Sequence, residues 1–196
     1  MISCVLLSAG YSSRFGSPKA LVNFDGSKLI ERLQNILLAS NLDEIIVVLG
    51  ANAQDIEPYL LKHTKIKVVY NKDYNLGQTS SFKAGLKTVS VSSKGIMLLP
   101  VDFPLIAAAT IKGLVDQFSR REPLVLIPTY LNKKGHPSVF HQSLAQELLA
   151  LKDEEGINTV VHRHTDEVQL CPVKDEGILL SFNTREELAE LTSRLK

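Results

Sequence analysis

The chain alternates short, continuous apolar runs with longer stretches whose apolar residues recur every three or four positions. The runs at 2–7, 45–49, 66–70, 96–101 and 124–127 are the length of strands, and the continuous apolarity of 45–49 predicts a buried strand. Between them, 27–40, 53–63, 79–89 and 107–118 carry helical spacing; Leu29, Ile30, Leu33, Ile36 and Leu37 mark one such face. Alternation of this kind predicts an α/β fold with a mostly parallel sheet covered on both faces.

The second half is less regular. A polar turn at 130–135 leads into an extended segment, 136–140, that reads as a hairpin excursion over the functional edge. Helical patterns follow at 141–151 and 157–164, and strands are expected at 168–173 and 178–180. A last helix begins at Thr184, where Thr184 and Glu187 have capping-box spacing and Leu188, Leu191 and Leu195 give the apolar stripe.

Length changes the picture little: 196 residues suit one domain, with a first half of about 1–105 and a closing half of about 106–196. A net charge of +1 gives no sign of nucleic-acid or membrane-surface binding. No apolar run approaches membrane-spanning length and the N-terminus has no signal-peptide pattern, so a cytoplasmic protein is expected. Cys4 and Cys171 both lie in apolar runs and read as small core residues.

Chemistry concentrates between Leu6 and Leu21, LLSAGYSSRFGSPKAL. The first strand delivers a loop in which Gly10 and Gly16 let the backbone turn and approach a ligand. Ser8, Ser12 and Ser13 supply hydroxyls, and Arg14 and Lys19 supply positive charge, a combination that can cradle a polyphosphate. The spacing is not that of a Walker loop, which needs Lys directly after its second Gly, nor of a dinucleotide fingerprint, which needs a third Gly and an immediate helix. Pro18 also resists a helical conformation at Ser17. A long, open loop of this type suits a triphosphate; an ordinary surface turn is the other reading.

Asp102 ends the fourth expected strand. It reads as a holder of magnesium, which takes one or two carboxylates plus phosphate oxygens, or as a simple turn cap. Parallel sheets bind ligands beyond the carboxyl ends of their strands, and the first loop, 71–81 and 100–104 all fall there, which favours the metal reading.

Taken together, these segments resemble the MobA-like nucleotidyltransferases. The first loop is similar to that family's L-A-A-G-x-S-x-R-M-G-x-x-K, PVDFP to G-D-x-P, NLGQTSSFKAGL to G-x-x-S-S-L-x-x-G-L, KKGHPSVF to R-G-N/H-P-V-L-F, and SFNTREEL to D-I-D-T-P-E-D-L. The pieces run in family order along nearly the whole chain. The resemblance implies a Rossmann-like three-layer sandwich of the nucleotide-diphospho-sugar transferase type. It also implies attack of an acceptor phosphate on the α-phosphorus of a nucleoside triphosphate, with release of pyrophosphate. The nearest branch is the molybdenum cofactor cytidylyltransferases, because Ala9 and Pro18 stand where the guanylyl branch has a second Gly and an Asp. CTP, a molybdopterin acceptor and a molybdoenzyme are the implied partners. A sugar or alcohol phosphate acceptor, and a non-catalytic accessory protein of molybdoenzyme maturation, are the alternatives.

Carried over by position, Ala9 and Gly10 would line the base and ribose, Arg14 and Lys19 would hold the triphosphate, and Gly77, Ser80 and Ser81 would touch the nucleotide. Asp102 would bind Mg2+, with Asn183 as a second ligand or merely the start of the last helix, since the family mostly has Asp there. Phe15, Ser8 and Val101 replace the family's Met, Ala and Gly, and Val101 restricts the backbone next to Asp102. His136, with Lys134 or Lys133, would meet the acceptor, or else belongs to a solvated turn. His162, Arg163 and His164 lack metal-ligand spacing, Glu154 and Glu155 read as solvated, and His63 and His141 receive no role.

Overall fold

The computed structural model describes residues 1–193. In chain order its strands are β1 (Ile2–Ser8), β2 (Asn23–Phe24), β3 (Ser27–Lys28), β4 (Glu44–Leu49), β5 (Ile66–Tyr70), β6 (Gly95–Pro100), β7 (Val125–Tyr130), β8 (Lys133–Lys134), β9 (Ser138–His141) and β10 (Val168–Pro172). Its α-helices are α1 (Leu29–Leu38), α2 (Ala53–Ile56), α3 (Gln78–Leu86), α4 (Ala108–Arg121), α5 (Ala145–Ala150), α6 (Asn158–Arg163) and α7 (Arg185–Ser193).

The main sheet runs β10-β7-β9-β6-β1-β4-β5, with β8 paired to β7 and with β2 and β3 forming a separate two-stranded ribbon. β6, β1, β4 and β5 are mutually parallel, β10 is parallel to β7, and β9 is antiparallel to both its neighbours. The period-two alternation of a strand sorts β1 into two cores. Cys4 and Leu6 join Leu33 and Leu37 of α1 and Ile111 and Leu114 of α4 on one face. Val5 and Leu7 join Phe82 of α3, Leu148 of α5 and Val160 of α6 on the other. The fold is the expected three-layer α/β sandwich.

α3 lies unusually near the sheet. A Cβ on Gly85 would come within 2.5 Å of Val5 Cγ1 and 2.8 Å of Val48 Cγ2, so only glycine lets the helix seat there. This close seating brings the start of α3 to the carboxyl ends of β1 and β4.

Three expectations are corrected. The helix over 53–63 shrinks to α2 and a 3-10 turn, Glu57–Tyr59, because Pro58 has no N–H to offer the carbonyl of Gln54. The strand at 178–180 is instead a 3-10 turn, Glu176–Leu179, set by the Asp175 carboxylate accepting from Gly177 N–H at 2.8 Å. The segment 136–140 does not leave the sheet as an excursion. Val139 and Phe140 of β9 are buried between β6 and β7, and the excursion is only the Leu131–Asn132 turn, both residues at positive φ. Four apolar-biased residues are too few for periodicity to separate a central strand from a hairpin arm. The last helix has its capping box: Glu187 N–H donates to Thr184 Oγ1 at 3.2 Å and Thr184 N–H to Glu187 Oε2 at 3.3 Å. Leu191 is buried; Leu195 lies outside the described residues.

Candidate functional site

The first loop, the turn before α3 and the residues after β6 open onto one cavity of about 440 Å³ at the carboxyl ends of the strands. β1 ends in buried Ser8 and Ala9, and Ala9 O accepts from Ala51 N–H at 2.9 Å, tying the loop's root to the end of β4. Ser12 then adopts positive φ and its carbonyl accepts from Phe15 and Gly16 N–H at 2.9 and 3.0 Å. The buried Phe15 ring anchors the loop against Phe182, with centroids 5.4 Å apart. Ser12 Oγ accepts from Lys19 N–H at 3.2 Å, which sets the direction in which Lys19 leaves the loop.

The charged groups meet. Lys19 Nζ lies 3.0 Å from Asp102 Oδ2 and 3.0 Å from Asn183 Oδ1, and Arg14 Nη2 donates to the same Asn183 oxygen at 3.0 Å. Lys19 also lies 5.3 Å from the Phe182 ring centroid. Two cations therefore face one carboxylate, and the corner keeps an excess positive charge toward an anionic ligand. Four residues from three distant segments share this corner, and Phe182 N–H to Asp102 O at 3.3 Å links the closing segment to the β6 turn.

Asn183 stands just before α7 and faces the cavity corner. Its backbone N–H donates to Glu187 at the start of α7, while its side chain turns to Arg14 and Lys19. Val101 needs no left-handed backbone; its N–H donates to Leu7 O at 3.0 Å, so β6 continues its pairing up to Asp102.

On the opposite side, Gly77 has φ of 102° and ends one turn just before α3 begins, a conformation that favours glycine. Gly77 and Ser81 line the cavity, but Ser80 does not. The Ser80 hydroxyl donates to Asp73 O at 2.7 Å and accepts from Asn71 Nδ2 at 3.0 Å, so it braces the loop. Asn71, buried at the end of β5, donates to both serines and accepts from Asp73 N–H at 3.1 Å.

Ser8, Ala9, Gly10, Ser12, Ser13, Arg14, Lys19, Asp102 and Asn183 also line the cavity. Lys134 is exposed on β8 and does not reach it. His136 lies just outside, its ring packed on Phe103 at 4.8 Å and its N–H donating to Ile178 O at 2.9 Å. Burial pushes the His136 pKa below the usual histidine range, against the opposing pull of the Asp102 charge and the Leu98 backbone, so the ring is neutral at pH 7. Tyr11, Tyr74, Asn75 and Gln78 also line the cavity and were missed from the sequence. An aromatic side chain inside a glycine- and serine-rich loop was the readable signal for Tyr11; nothing local distinguished the other three.

The donor set fits a divalent ion. Asp102 Oδ1 is buried with no hydrogen-bond partner among the described residues, and Asp102 Oδ2 and Asn183 Oδ1 already hold one cation, the Lys19 ammonium. Among the described residues no group of three or more His, Cys, Asp or Glu could hold a metal by itself. One carboxylate and one carbonyl oxygen suit a hard ion that takes its other ligands from phosphate and water. No helix among the described residues is long and apolar enough to cross a membrane.

Residues 4–168 match the family model described as MobA-like NTP transferase domain. The chain is 27% identical to the nicotine blue oxidoreductase of Paenarthrobacter nicotinovorans, covering 97% of this chain and 96% of that one. It is 23% identical to a probable molybdenum cofactor guanylyltransferase of Bacillus cytotoxicus, with coverage of 97% and 96%. Among solved structures it resembles Rv0371c of Mycobacterium tuberculosis in complex with manganese, at a TM-score of 0.81, 24% identity and 98% coverage of each chain. It also resembles a nucleotidyl transferase from Methanothermobacter, at a TM-score of 0.82 and 22% identity, covering 99% of this chain and 97% of that one.

Proposed function

Because the chain belongs to the MobA-like NTP transferase family, we propose that it transfers a nucleoside monophosphate from a triphosphate to a phosphorylated acceptor. The observation that carries the proposal is the Lys19 ammonium bridging Asp102 and Asn183, with Arg14 on the same asparagine, beside a glycine-rich loop. In this reading residues 1–105 bind the nucleotide, 106–196 close the site, and the protein works in the cytoplasm.

An acceptor phosphate oxygen attacks the α-phosphorus; the bond from that phosphorus to the α,β-bridging oxygen breaks, and pyrophosphate leaves with the electron pair. The nucleophile is already anionic, so no general base is required. What the reaction needs is alignment and neutralisation of charge building on the leaving group. Lys19 and Arg14 answer the second need at the tail of the nucleotide. The backbone around Ala9 and Gly10 and the Gly77–Ser81 turn hold the nucleoside end, and the first of these cannot move far because Ala51 N–H grips Ala9 O. Asp102 and Asn183 would hold Mg2+, which supplies charge neutralisation at the α- and β-phosphates when bound. His136, neutral and packed on Phe103, would border the acceptor; Lys134 would reach it only from the rim.

The finer assignment is CTP as donor and molybdopterin as acceptor. Ala9 and Pro18 of this chain support cytidine, whereas several relatives carry the name guanylyltransferase. Pyrophosphate release measured with each of the four triphosphates, Mg2+ and purified molybdopterin decides the donor. Release only with a sugar or alcohol phosphate would move the acceptor. Nucleotide binding without release under any acceptor would replace the enzyme by a non-catalytic accessory protein that delivers cofactor to a partner molybdoenzyme.

A further inference from the structure

The cavity has an aromatic wall that the mechanism does not use. Tyr11 is 58% exposed although it sits in the first loop at the mouth of the site. It packs on Tyr74 with ring centroids 5.1 Å apart and an interplanar angle of 69°. An edge-on contact and that exposure leave at least one ring face of Tyr11 bare.

Tyr74 is the fixed member of the pair. A Cβ on Gly50 would lie 2.6 Å from Tyr74 Cβ and 2.6 Å from Ala9 O, so Tyr74 is seated directly on the backbone beyond β4 and next to Ala9. Its own turn, Tyr74–Leu76, is tied down by Gly77 N–H donating to Tyr74 O at 3.2 Å. The neighbouring Tyr74 hydroxyl raises the Tyr11 phenol above the ordinary tyrosine range.

The strand order assigns the wall to one end of the ligand. Asp102 follows β6, on one side of β1, whereas Tyr74 follows β5, on the other side beyond β4. From β6 to β5 is three interstrand spacings, about 14 Å. A triphosphate held at the β6 side by Lys19 and Arg14 therefore extends its nucleoside toward β4 and β5.

We infer that the bare face of Tyr11, braced edge-on by Tyr74, is the surface on which the nucleobase stacks. The inference rests on the nucleotidyltransferase reading above. Every base offers a π face, so the ring sets how tightly nucleotides bind and leaves the choice of base to other groups.

Titration calorimetry of the full chain with Mg2+ tests this, using CTP, GTP and inorganic tripolyphosphate on the wild type, Tyr11→Ala and Tyr11→Phe. Expected are a roughly tenfold weaker Kd of Tyr11→Ala for whichever nucleotides the wild type binds, an unchanged Kd for tripolyphosphate, and wild-type behaviour of Tyr11→Phe. In turnover, KM for the nucleotide should rise about as much while kcat moves less than twofold. Unchanged nucleotide binding overturns the inference. So does equal weakening of nucleotide and tripolyphosphate, which would make the ring a support of the loop, or a rise in acceptor KM instead of nucleotide KM. A wild-type protein that binds no nucleotide overturns the functional reading itself, a result seen before any variant is made.

Discussion

Replacing Lys19 by Met removes one charge and keeps most of the side chain's length along Phe182. In the native protein the Lys19 side chain is 11% exposed and the Asp102 side chain 23%, with Nζ and Oδ2 3.0 Å apart. At an effective dielectric constant of about 20 the pair attracts by about 5 kcal/mol, most of it offset by the lost hydration of both ions. The substitution therefore costs little in net stability, about 1 kcal/mol, because the Asp102 side chain is 23% exposed and, although Oδ1 is buried, its other oxygen can meet water. Its functional effects should run in opposite directions. With nucleotide, kcat/KM falls about a hundredfold, near 2.7 kcal/mol, as expected when one fixed positive group facing developing negative charge is lost. Without nucleotide, the oxygens of Asp102 and Asn183 no longer hold an ammonium, and Mn2+ binding tightens about tenfold or more. Pyrophosphate release measures the first effect and Mn2+ paramagnetic resonance the second. Near-normal turnover together with unchanged Mn2+ affinity in a folded Lys19→Met protein would refute the reasoning, since Lys19 would then neither serve the nucleotide nor compete with the ion.

Other substitutions separate site from scaffold. Asn183→Asp should tighten Mn2+ binding to the free protein roughly tenfold, a carboxylate being a stronger ligand for hard ions than an amide oxygen; an unchanged Mn2+ titration would take Asn183 out of the ligand set. Gly85→Ala should lower stability by about 1–3 kcal/mol, because its new methyl meets Val5 and Val48 under α3; a melting temperature within a degree of wild type would show that α3 can shift freely. Glu44 is buried, and burial alone would raise its pKa, but bonds from Lys67, Ser3 and Ser90 outweigh this and hold it below the usual carboxylate range. Its contribution is therefore full above the unfolded carboxylate pKa and is lost as pH falls through the lower folded value. Glu44→Gln should cost about 1–3 kcal/mol at pH 7 and progressively less toward pH 3, followed by urea denaturation; a pH-independent gap would contradict the assignment.

The strands that carry the site could be read from composition alone. β1, β4 and β6 are buried on both faces, so their sequences are largely apolar runs, and the loops after such strands had to emerge on one edge. That is why Lys19 and Asp102, 83 positions apart, could be expected to share a cleft before any coordinates existed. Elements whose form depends on neighbours were not readable in this way. β9 is a strand because β6 and β7 flank it, and at the turn Glu176–Leu179 the backbone runs so close to Leu105 that a Cβ on Gly177 would lie 2.3 Å from Leu105 O.

Local chemistry, then, determined the class of fold, the polyphosphate-type loop and the carboxylate at the strand end, because backbone freedom, charge and apolar periodicity are properties of adjacent residues. Tertiary structure decided which side chains meet: that Asn183 turns toward Arg14 and Lys19, that Ser80 braces while Ser81 faces the cavity, and that Tyr11 leans on Tyr74. The contacts of Asn183 and of Tyr11 join residues far apart in the chain, and only the closing of α7 and the seating of α3 on the sheet bring them within contact distance.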